Sequence, residues 1–175
     1  MLFVTANSLR DSQRFRVNSE DFGMARPGDV YAIETKKGPG FFQFVKKNKL
    51  MGSLIRVFPL EDPARTLENW AELIERETNF WVFFAVDTAL RKGLVVKVGH
   101  SAVPLHARET PLFRAGIPHP STRKVGNWWL WDGEKSWQIG ELTPEQRKLP
   151  IRAAWNDTLL RERLEAGWLP EIDLE

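Results

Sequence analysis

Cysteine is missing from the 175 residues of this chain, and so are long apolar runs. Without cysteine the fold contains neither disulfides nor thiolate metal sites, and a cysteine nucleophile is excluded. The apolar run at the N-terminus ends at Thr5, which is too short for a signal peptide, and no later segment approaches the roughly 20 apolar residues of a membrane span. We therefore expect a soluble, cytoplasmic protein.

Recognisable catalytic patterns are also absent from the sequence. No serine lies in a nucleophile elbow, no glycine-rich loop has the spacing that cradles phosphate, and no HExxH motif occurs. The spacings of His100, His106 and His119 match no metal-binding pattern. The sequence therefore predicts a protein that is not an enzyme and needs no metal or cofactor. A hydrolase that uses the histidine-bearing segment is the alternative of lowest rank.

Charge is nearly balanced along the chain. Lysine and arginine number 25 against 23 aspartates and glutamates, although the sequence pI is about 9.0. Basic residues are concentrated only at Lys46–Lys49, within the aromatic segment Phe41–Lys49. This segment predicts either a nucleic-acid or regulatory binding surface, or Phe42 and Phe44 in the core beside lysines that protect an edge strand. The core interpretation is preferred, because a dedicated nucleic-acid binder carries a denser basic stripe.

The change in composition after Pro27 predicts an N-terminal extension over residues 1–27 and a single domain over residues 28–175. The domain begins with three segments rich in β-branched and aromatic residues, separated by turn residues. These segments are GDVYAIET (28–35), FFQFVKK (41–47) and SLIRVFPL (53–60). Short turns between such segments predict an antiparallel meander, either one edge of a small barrel or a strongly twisted sheet.

The hydrophobic period changes at Asp62-Pro63, where an N-cap and a first-turn proline predict the start of a helix. The segment Phe80–Val86 is apolar on both faces and predicts a central strand, and Leu94–Gly99 predicts the next one. The stretch His100–Lys124 contains four prolines and no sustained period. It is longer than an ordinary connection, so it is either a functional loop or contains elements that the pattern does not disclose.

The C-terminal part predicts two helices. Thr143 and Gln146 have the spacing of a capping box, which begins a short helix. A last helix is predicted to start at Asn156 or Asp157 and to stop at Gly167. The predicted fold class is therefore α+β: one domain with a strongly twisted, mostly antiparallel sheet, in which a meander closes into a barrel-like form as one option, and two or three packed helices.

The segment VGNWWLWDGEKSWQIG (residues 125–140) contains four of the chain's eight tryptophans and predicts a hairpin that turns at its Asp-Gly pair. Because side chains alternate along a strand, Trp128 and Leu130 face one side and Trp129 and Trp131 face the other. One of these pairs is expected to be core. The other is either covered by neighbouring segments or exposed as an aromatic anchor for a partner.

Six short motifs follow one another between Gly28 and Glu171: GDVYAIET, GFFQFVKK, IRVF, VGNWWLWDG, ELTPEQRKLPI and RERLEAGWLPE. Their order resembles the immunity protein 26 family of bacterial polymorphic toxin systems. The resemblance implies a small α+β domain encoded beside a toxin. Such a protein binds the toxin stoichiometrically and blocks its active site or substrate path, without catalysis.

If the chain is such a binding protein, its aromatic and proline-rich part, from His100 to Trp131 and on to the hairpin tip, is the expected contact region. The expected partner-binding residues are Arg114, His119, Arg123, Trp129, Trp131, Asp132 and Glu134. Inhibitors of nucleases are commonly acidic. A nuclease target would therefore require a local acidic patch on this slightly basic chain, or a different binding mode.

Overall fold

The computed structural model describes residues 24–60 and 70–173. The described chain contains nine strands and four helices, which are β1 (Asp29–Thr35), β2 (Gly38–Asn48), β3 (Gly52–Val57), α1 (Trp70–Ile74), β4 (Phe80–Phe84), α2 (Val86–Arg91), β5 (Val95–His100), β6 (Phe113–Pro118), β7 (Val125–Trp131), β8 (Ser136–Gly140), α3 (Pro144–Arg147), β9 (Ala154–Trp155) and α4 (Asp157–Glu165). The predicted helix start at Asp62-Pro63 and most of the predicted extension over residues 1–27 lie outside the described residues.

Six strands form the main sheet, in the order β5-β1-β2-β3-β4-β9. The predicted meander is confirmed, since β1 to β4 pair antiparallel in chain order. Gly38 and Gly52 begin β2 and β3 with φ of 101° and 91°, a conformation that favours glycine. β9 adds a parallel strand beside β4. The sheet ends at β5 and β9 and is open, so the barrel-like alternative is wrong.

One face of the main sheet packs against α2, α4 and the segment that follows α4. The Phe80 ring lies 5.4 Å from the Trp155 ring and 5.3 Å from the Trp168 ring, measured between centroids. Leu160 and Leu164 of α4 are buried in the same cluster. This cluster has more buried residues than either of the other two in the described chain, so this face is the main hydrophobic core. Burying one such side chain contributes about 1.5–3 kcal/mol.

The opposite face of the main sheet contains a buried polar pair. Arg56 Nε donates a 2.9 Å hydrogen bond to Gln43 Oε1, and Arg56 Nη2 donates to the Ile74 carbonyl of α1. Gln43 Nε2 donates to the Ser101 carbonyl at 2.8 Å. Burial lowers the pKa of Arg56 to about 10, so the guanidinium stays charged at neutral pH. The pair therefore joins β2 and β3 to α1 and to the segment after β5.

The structure confirms the α+β class and the strands predicted at Phe80 and Leu94, and it adds two strands that the sequence did not predict. β6 lies inside the proline-rich stretch His100–Lys124, so this stretch contains a strand that the sequence pattern does not disclose. Its sequence FRAGIP has a glycine and a proline that interrupt alternation, so its period is weak. β9 has two residues, Ala154 and Trp155, which are too few to show a period.

Both predicted C-terminal helices are present. The capping box is formed: Gln146 N–H donates to Thr143 Oγ1 at 3.2 Å, and Thr143 N–H donates to Gln146 Oε1 at 2.9 Å. Asn156 caps α4 by accepting a 2.8 Å hydrogen bond from the Leu159 N–H. Gly167 has φ of 61° just beyond the helix, where it is predicted to stop.

The capping box gives a first prediction. Thr143→Ala removes the acceptor for the Gln146 N–H and is expected to lower the free energy of unfolding by about 1 kcal/mol. Urea unfolding followed by circular dichroism measures the difference. Thr158→Ala, at an exposed position of α4, is the matched control and is expected to be neutral within about 0.5 kcal/mol. Equal losses in the two variants would show that the capping box does not stabilise the fold.

Candidate partner-binding site

The strands β6, β7 and β8 form a second, antiparallel sheet that stands against the main sheet. Contact is made by aromatic side chains at the end of this sheet: the Trp131 ring lies 5.8 Å from Phe83 of β4 and 5.5 Å from Phe113, and Phe113 lies 5.3 Å from Phe83. Leu54 of β3 completes the cluster. This apolar cluster therefore joins the two sheets at the end of β7 that carries Trp131.

Because the two sheets meet at one end of β7, the tryptophans of this strand differ in exposure. Trp129 and Trp131 share a face of the second sheet, opposite Ala115 and Phe113 of β6. The main sheet covers that face only at its end, so Trp131 is 1% exposed while Trp129 is 42% exposed. The expectation that Trp129 and Trp131 are either both core or both at the surface is wrong.

A groove lies on the exposed part of this face. It has a volume of about 1060 Å³, and Met51, Ala115, Ile117, His119, Trp129 and Arg152 are among the residues that line it. We call it the Trp129 groove. Ile117 is 89% exposed at its rim, and Trp129 lies opposite Ala115 in the strand register. An exposed indole beside apolar side chains is the arrangement found at the centre of protein interfaces.

The charged side chains that line the Trp129 groove are cationic. The Arg152 guanidinium lies 4.4 Å from the centroid of the Trp131 ring and donates to Ser136 Oγ at 3.4 Å, which fixes its position. Lys124 lines the same groove. No aspartate or glutamate is among the lining residues that the structure describes. Sequence patterns gave no reason to select either cation, since both lie in irregular segments.

The tight turn between β6 and β7 positions His119 and Arg123. The His119 N–H donates to the Lys124 carbonyl at 2.9 Å, and the Arg123 N–H donates to the His119 carbonyl at 2.8 Å. Arg123 adopts φ of 58°, which is uncommon for a residue with a side chain. His119 Nδ1 accepts from the Ser121 N–H at 3.4 Å. His119 thus lines the groove and also stabilises the turn.

Asp132 and Glu134 lie at the tip of the β7–β8 hairpin, as predicted. Asp132 Oδ1 accepts hydrogen bonds from the Lys135 N–H at 2.7 Å and the Glu134 N–H at 2.9 Å, and these bonds hold the pKa of Asp132 below its ordinary value. Asn48 Nδ2 of β2 donates to the Gly133 carbonyl at 3.1 Å. Asp132 therefore forms the turn, while Glu134 is an exposed side chain near but not in the Trp129 groove.

Arg114 is 1% exposed and lies on the face of the second sheet opposite the groove. Its guanidinium lies 5.2 Å from the Trp128 ring centroid and donates to the carbonyls of Pro170 and Asp173. Burial lowers the pKa of Arg114. The Arg114 side chain joins β6 to the C-terminal segment and is not available to a partner. Trp131 is 1% exposed and is not available to a partner either.

The three histidines do not come together. His100 Nδ1 lies 2.9 Å from Asp29 Oδ1, His106 Nε2 lies 3.5 Å from Arg56 Nη1, and His119 belongs to the β6–β7 turn. Within residues 24–60 and 70–173, no group of three or more His, Cys, Asp or Glu side chains could hold a metal ion. The three histidines therefore lie in separate parts of the described structure, each with its own partners.

Asp29 is a buried carboxylate that collects polar contacts at the start of β1. Besides His100, Lys97 Nζ lies 3.1 Å from Oδ1, and Oδ2 accepts from the Tyr31 hydroxyl and from the Arg26 N–H. Burial alone would raise the pKa of Asp29, but hydrogen bonds from His100, Arg26 and Lys97 outweigh it and hold the pKa below its ordinary value. Burial and the Asp29 carboxylate raise the pKa of Tyr31. The cluster is satisfied internally and shares no residue with the groove.

The segment Phe41–Lys49 is an interior part of the main sheet. Phe42 and Phe44 face the core, as the preferred interpretation predicted, and Phe41 is buried as well, so none of these rings is free to stack on a base. β2 pairs with β1 and β3 on its two sides, so the expectation that its lysines protect an edge strand is wrong. Lys47 instead pairs with Asp87 at 3.6 Å.

The predicted contact residues therefore divide into three groups. His119 and Trp129 line the groove; Arg123, Asp132 and Glu134 belong to the two turns at the ends of β7; Arg114 and Trp131 are buried supports. Comparison of the chain with protein-family models, curated proteins and solved structures finds no match. Among the described helices, none has the length and apolar character needed to cross a membrane.

Proposed function

We propose that the protein is a binding protein whose Trp129 groove receives a protein partner. The observation that carries the proposal is the exposure of Trp129 in a groove of about 1060 Å³, which Ile117 and Arg152 also line. Tryptophan and arginine are the residue types most enriched among interface hot spots. A tryptophan side chain has only two rotatable torsions, so it also loses little conformational entropy when a partner binds.

The order of sequence motifs supports a more specific proposal, in which the partner is a bacterial toxin and the protein neutralises it. Neutralisation requires only that the bound chain cover the toxin's active site or substrate path, so no catalytic group or cofactor is needed. In this proposal the protein acts in the cytoplasm.

The two exposed tryptophans of the second sheet allow a matched test. Trp129 is 42% exposed and Trp137 is 41% exposed. Trp129 lies opposite Gln138 in the strand register, so the adjacent Trp137 points to the other face of the same sheet. We expect Trp129→Ala to weaken binding of the toxin encoded beside the gene by at least about 30-fold, which corresponds to a hot-spot loss of about 2 kcal/mol. Trp137→Ala is expected to change the dissociation constant by less than about 3-fold, a surface effect of under 1 kcal/mol.

The measurement is isothermal titration of the purified toxin domain with each variant, together with rescue of cells that express the toxin. Rescue and a co-purifying complex with the natural chain, lost in Trp129→Ala and kept in Trp137→Ala, would support the proposal. If the natural chain neither rescues growth nor co-purifies with that toxin, the toxin assignment is wrong. If Trp137→Ala abolishes binding and Trp129→Ala does not, the partner occupies the opposite face.

A further inference from the structure

We infer that the Trp129 groove recognises an acidic peptide segment of its partner. The inference uses the groove of the proposed function but does not depend on the partner being a toxin. The charges at the groove motivate it: Lys124 and Arg152 line it, and no carboxylate is among the described lining residues. A partner that places carboxylates here gains complementary charge, whereas a basic segment is repelled.

The two cations are free to accept such a partner. Among the described residues, no carboxylate lies within ion-pair distance of Lys124 or Arg152, although Lys97, Arg161 and Arg163 elsewhere each have one. Arg152 is also held in place, since its guanidinium stacks on Trp131 and donates to Ser136 Oγ. A planar guanidinium that is already oriented binds a carboxylate with two parallel hydrogen bonds and loses little entropy in doing so.

The apolar side chains explain why the ligand is a peptide and not a free anion. Met51, Ile117 and Trp129 line the same groove as the two cations and provide contact area for an aliphatic or aromatic side chain. Interfaces generally combine such an apolar centre with charges at the rim. The best ligand therefore combines aspartate or glutamate with an apolar residue.

A single-stranded nucleic acid is the competing anionic ligand, and the aromatic arrangement argues against it. Stacking platforms for bases present successive exposed rings along a basic path. The groove presents one exposed indole, because Trp131 is buried beneath Arg152 and Trp137 lies on the opposite face.

The test is a selection of random 12-residue peptides displayed on phage, carried out against the full-length chain and a charge-reversed variant. The variant is Lys124→Glu combined with Arg152→Glu. We expect the natural chain to select peptides enriched in aspartate and glutamate around an apolar residue, and the variant to select peptides enriched in lysine and arginine. Lys135→Glu with Lys148→Glu makes the same change in net charge at exposed positions outside the described groove lining, and is expected to select acidic peptides like the natural chain.

Affinities of the best acidic peptide complete the test. We expect its dissociation constant to rise at least 10-fold for the charge-reversed variant and for Trp129→Ala, and less than 3-fold for the Lys135/Lys148 control. The single variant Lys124→Glu, at an exposed position away from the Trp131 stack, is expected to show part of the loss even if the double variant folds poorly.

Peptides without acidic enrichment, no enriched peptides at all, or equal affinities for natural and charge-reversed chains would overturn the inference. Tighter binding of fluorescein-labelled single-stranded DNA or RNA 12-mers than of the best peptide would also overturn it. Failure of the toxin experiment with acidic peptides still selected would remove only the proposed function. Toxin binding that does not respond to Lys124→Glu and Arg152→Glu would remove only the acidic specificity.

Discussion

Replacing Trp131 with alanine is expected to lower the free energy of unfolding by about 3–5 kcal/mol, the range observed when a buried aromatic side chain is truncated and leaves a cavity. Trp131 is 1% exposed and contacts Phe83 of the main sheet and Phe113 of the second. The substitution therefore removes the centre of the cluster that joins the two sheets. It also removes the ring on which Arg152 stacks.

Trp129→Ala is the matched control for Trp131→Ala. The two tryptophans are two residues apart on one strand and share a face, yet Trp129 is expected to contribute less than about 1 kcal/mol to stability, because it lies on the surface. Urea unfolding of both variants, followed by far-ultraviolet circular dichroism, measures the difference. Similar losses for the two variants would mean that the second sheet is not anchored through Trp131.

The same two residues show how far sequence reasoning reaches at this site. Alternation along β7 correctly placed Trp129 and Trp131 on one face, because that property depends only on local backbone geometry. Which part of the face is covered depends on where the main sheet ends, and no local pattern contains that information. The prediction that Trp129 and Trp131 are buried or exposed together is therefore wrong. The hairpin and its turn at Asp132 were predicted correctly.

The other differences between sequence and structure have the same origin. Strands and helices with a clear period or a cap, such as β1 to β4 and α4, were predicted near their observed bounds. β6 and β9 were not, because Gly116 and Pro118 interrupt one and the other has two residues. Arg152 was missed for a related reason: it enters the groove only because the segment after α3 passes beside β6, where its N–H donates to the Arg114 carbonyl at 2.8 Å.

These placements give the second sheet two distinct faces. Arg114 and Trp128 lie on the face that joins the C-terminal segment, and Trp129 lies on the face that forms the groove. On the groove face Trp129 is 42% exposed, whereas Arg152 stacks on Trp131 and donates to Ser136 Oγ. Trp129→Ala and Lys124→Glu should therefore change binding with little effect on folding, because both side chains are exposed.

The second large effect is expected at Asp29. Asp29→Asn keeps the size of the side chain but removes the negative charge that His100 Nδ1 and Lys97 Nζ approach to 2.9 and 3.1 Å. Removing one partner of a buried charged pair costs about 3–5 kcal/mol, because the remaining cation is left without compensation. Lys97 is only partly buried, so we expect a loss near the lower end, about 3 kcal/mol at neutral pH.

The pH dependence of this loss follows from the lowered pKa of Asp29 in the folded state. In the unfolded chain the carboxyl titrates near its ordinary value of about 3.9. Between the folded and the unfolded pKa the unfolded state binds more protons, so stability rises with pH across that window. The contribution of Asp29 is complete above the unfolded pKa and is lost as pH falls toward the folded pKa.

The difference in unfolding free energy between the natural chain and Asp29→Asn is therefore expected to be constant from about pH 7 to pH 5 and to narrow below about pH 4. Urea titrations at a series of pH values measure it. Glu109→Gln, at an exposed acidic position, is the control and should leave the acid dependence of the natural chain unchanged. If the loss in Asp29→Asn were the same at pH 3 as at pH 7, the carboxylate charge would not be what stabilises the start of β1. The hydrogen bonds that an asparagine cannot reproduce would then account for the loss.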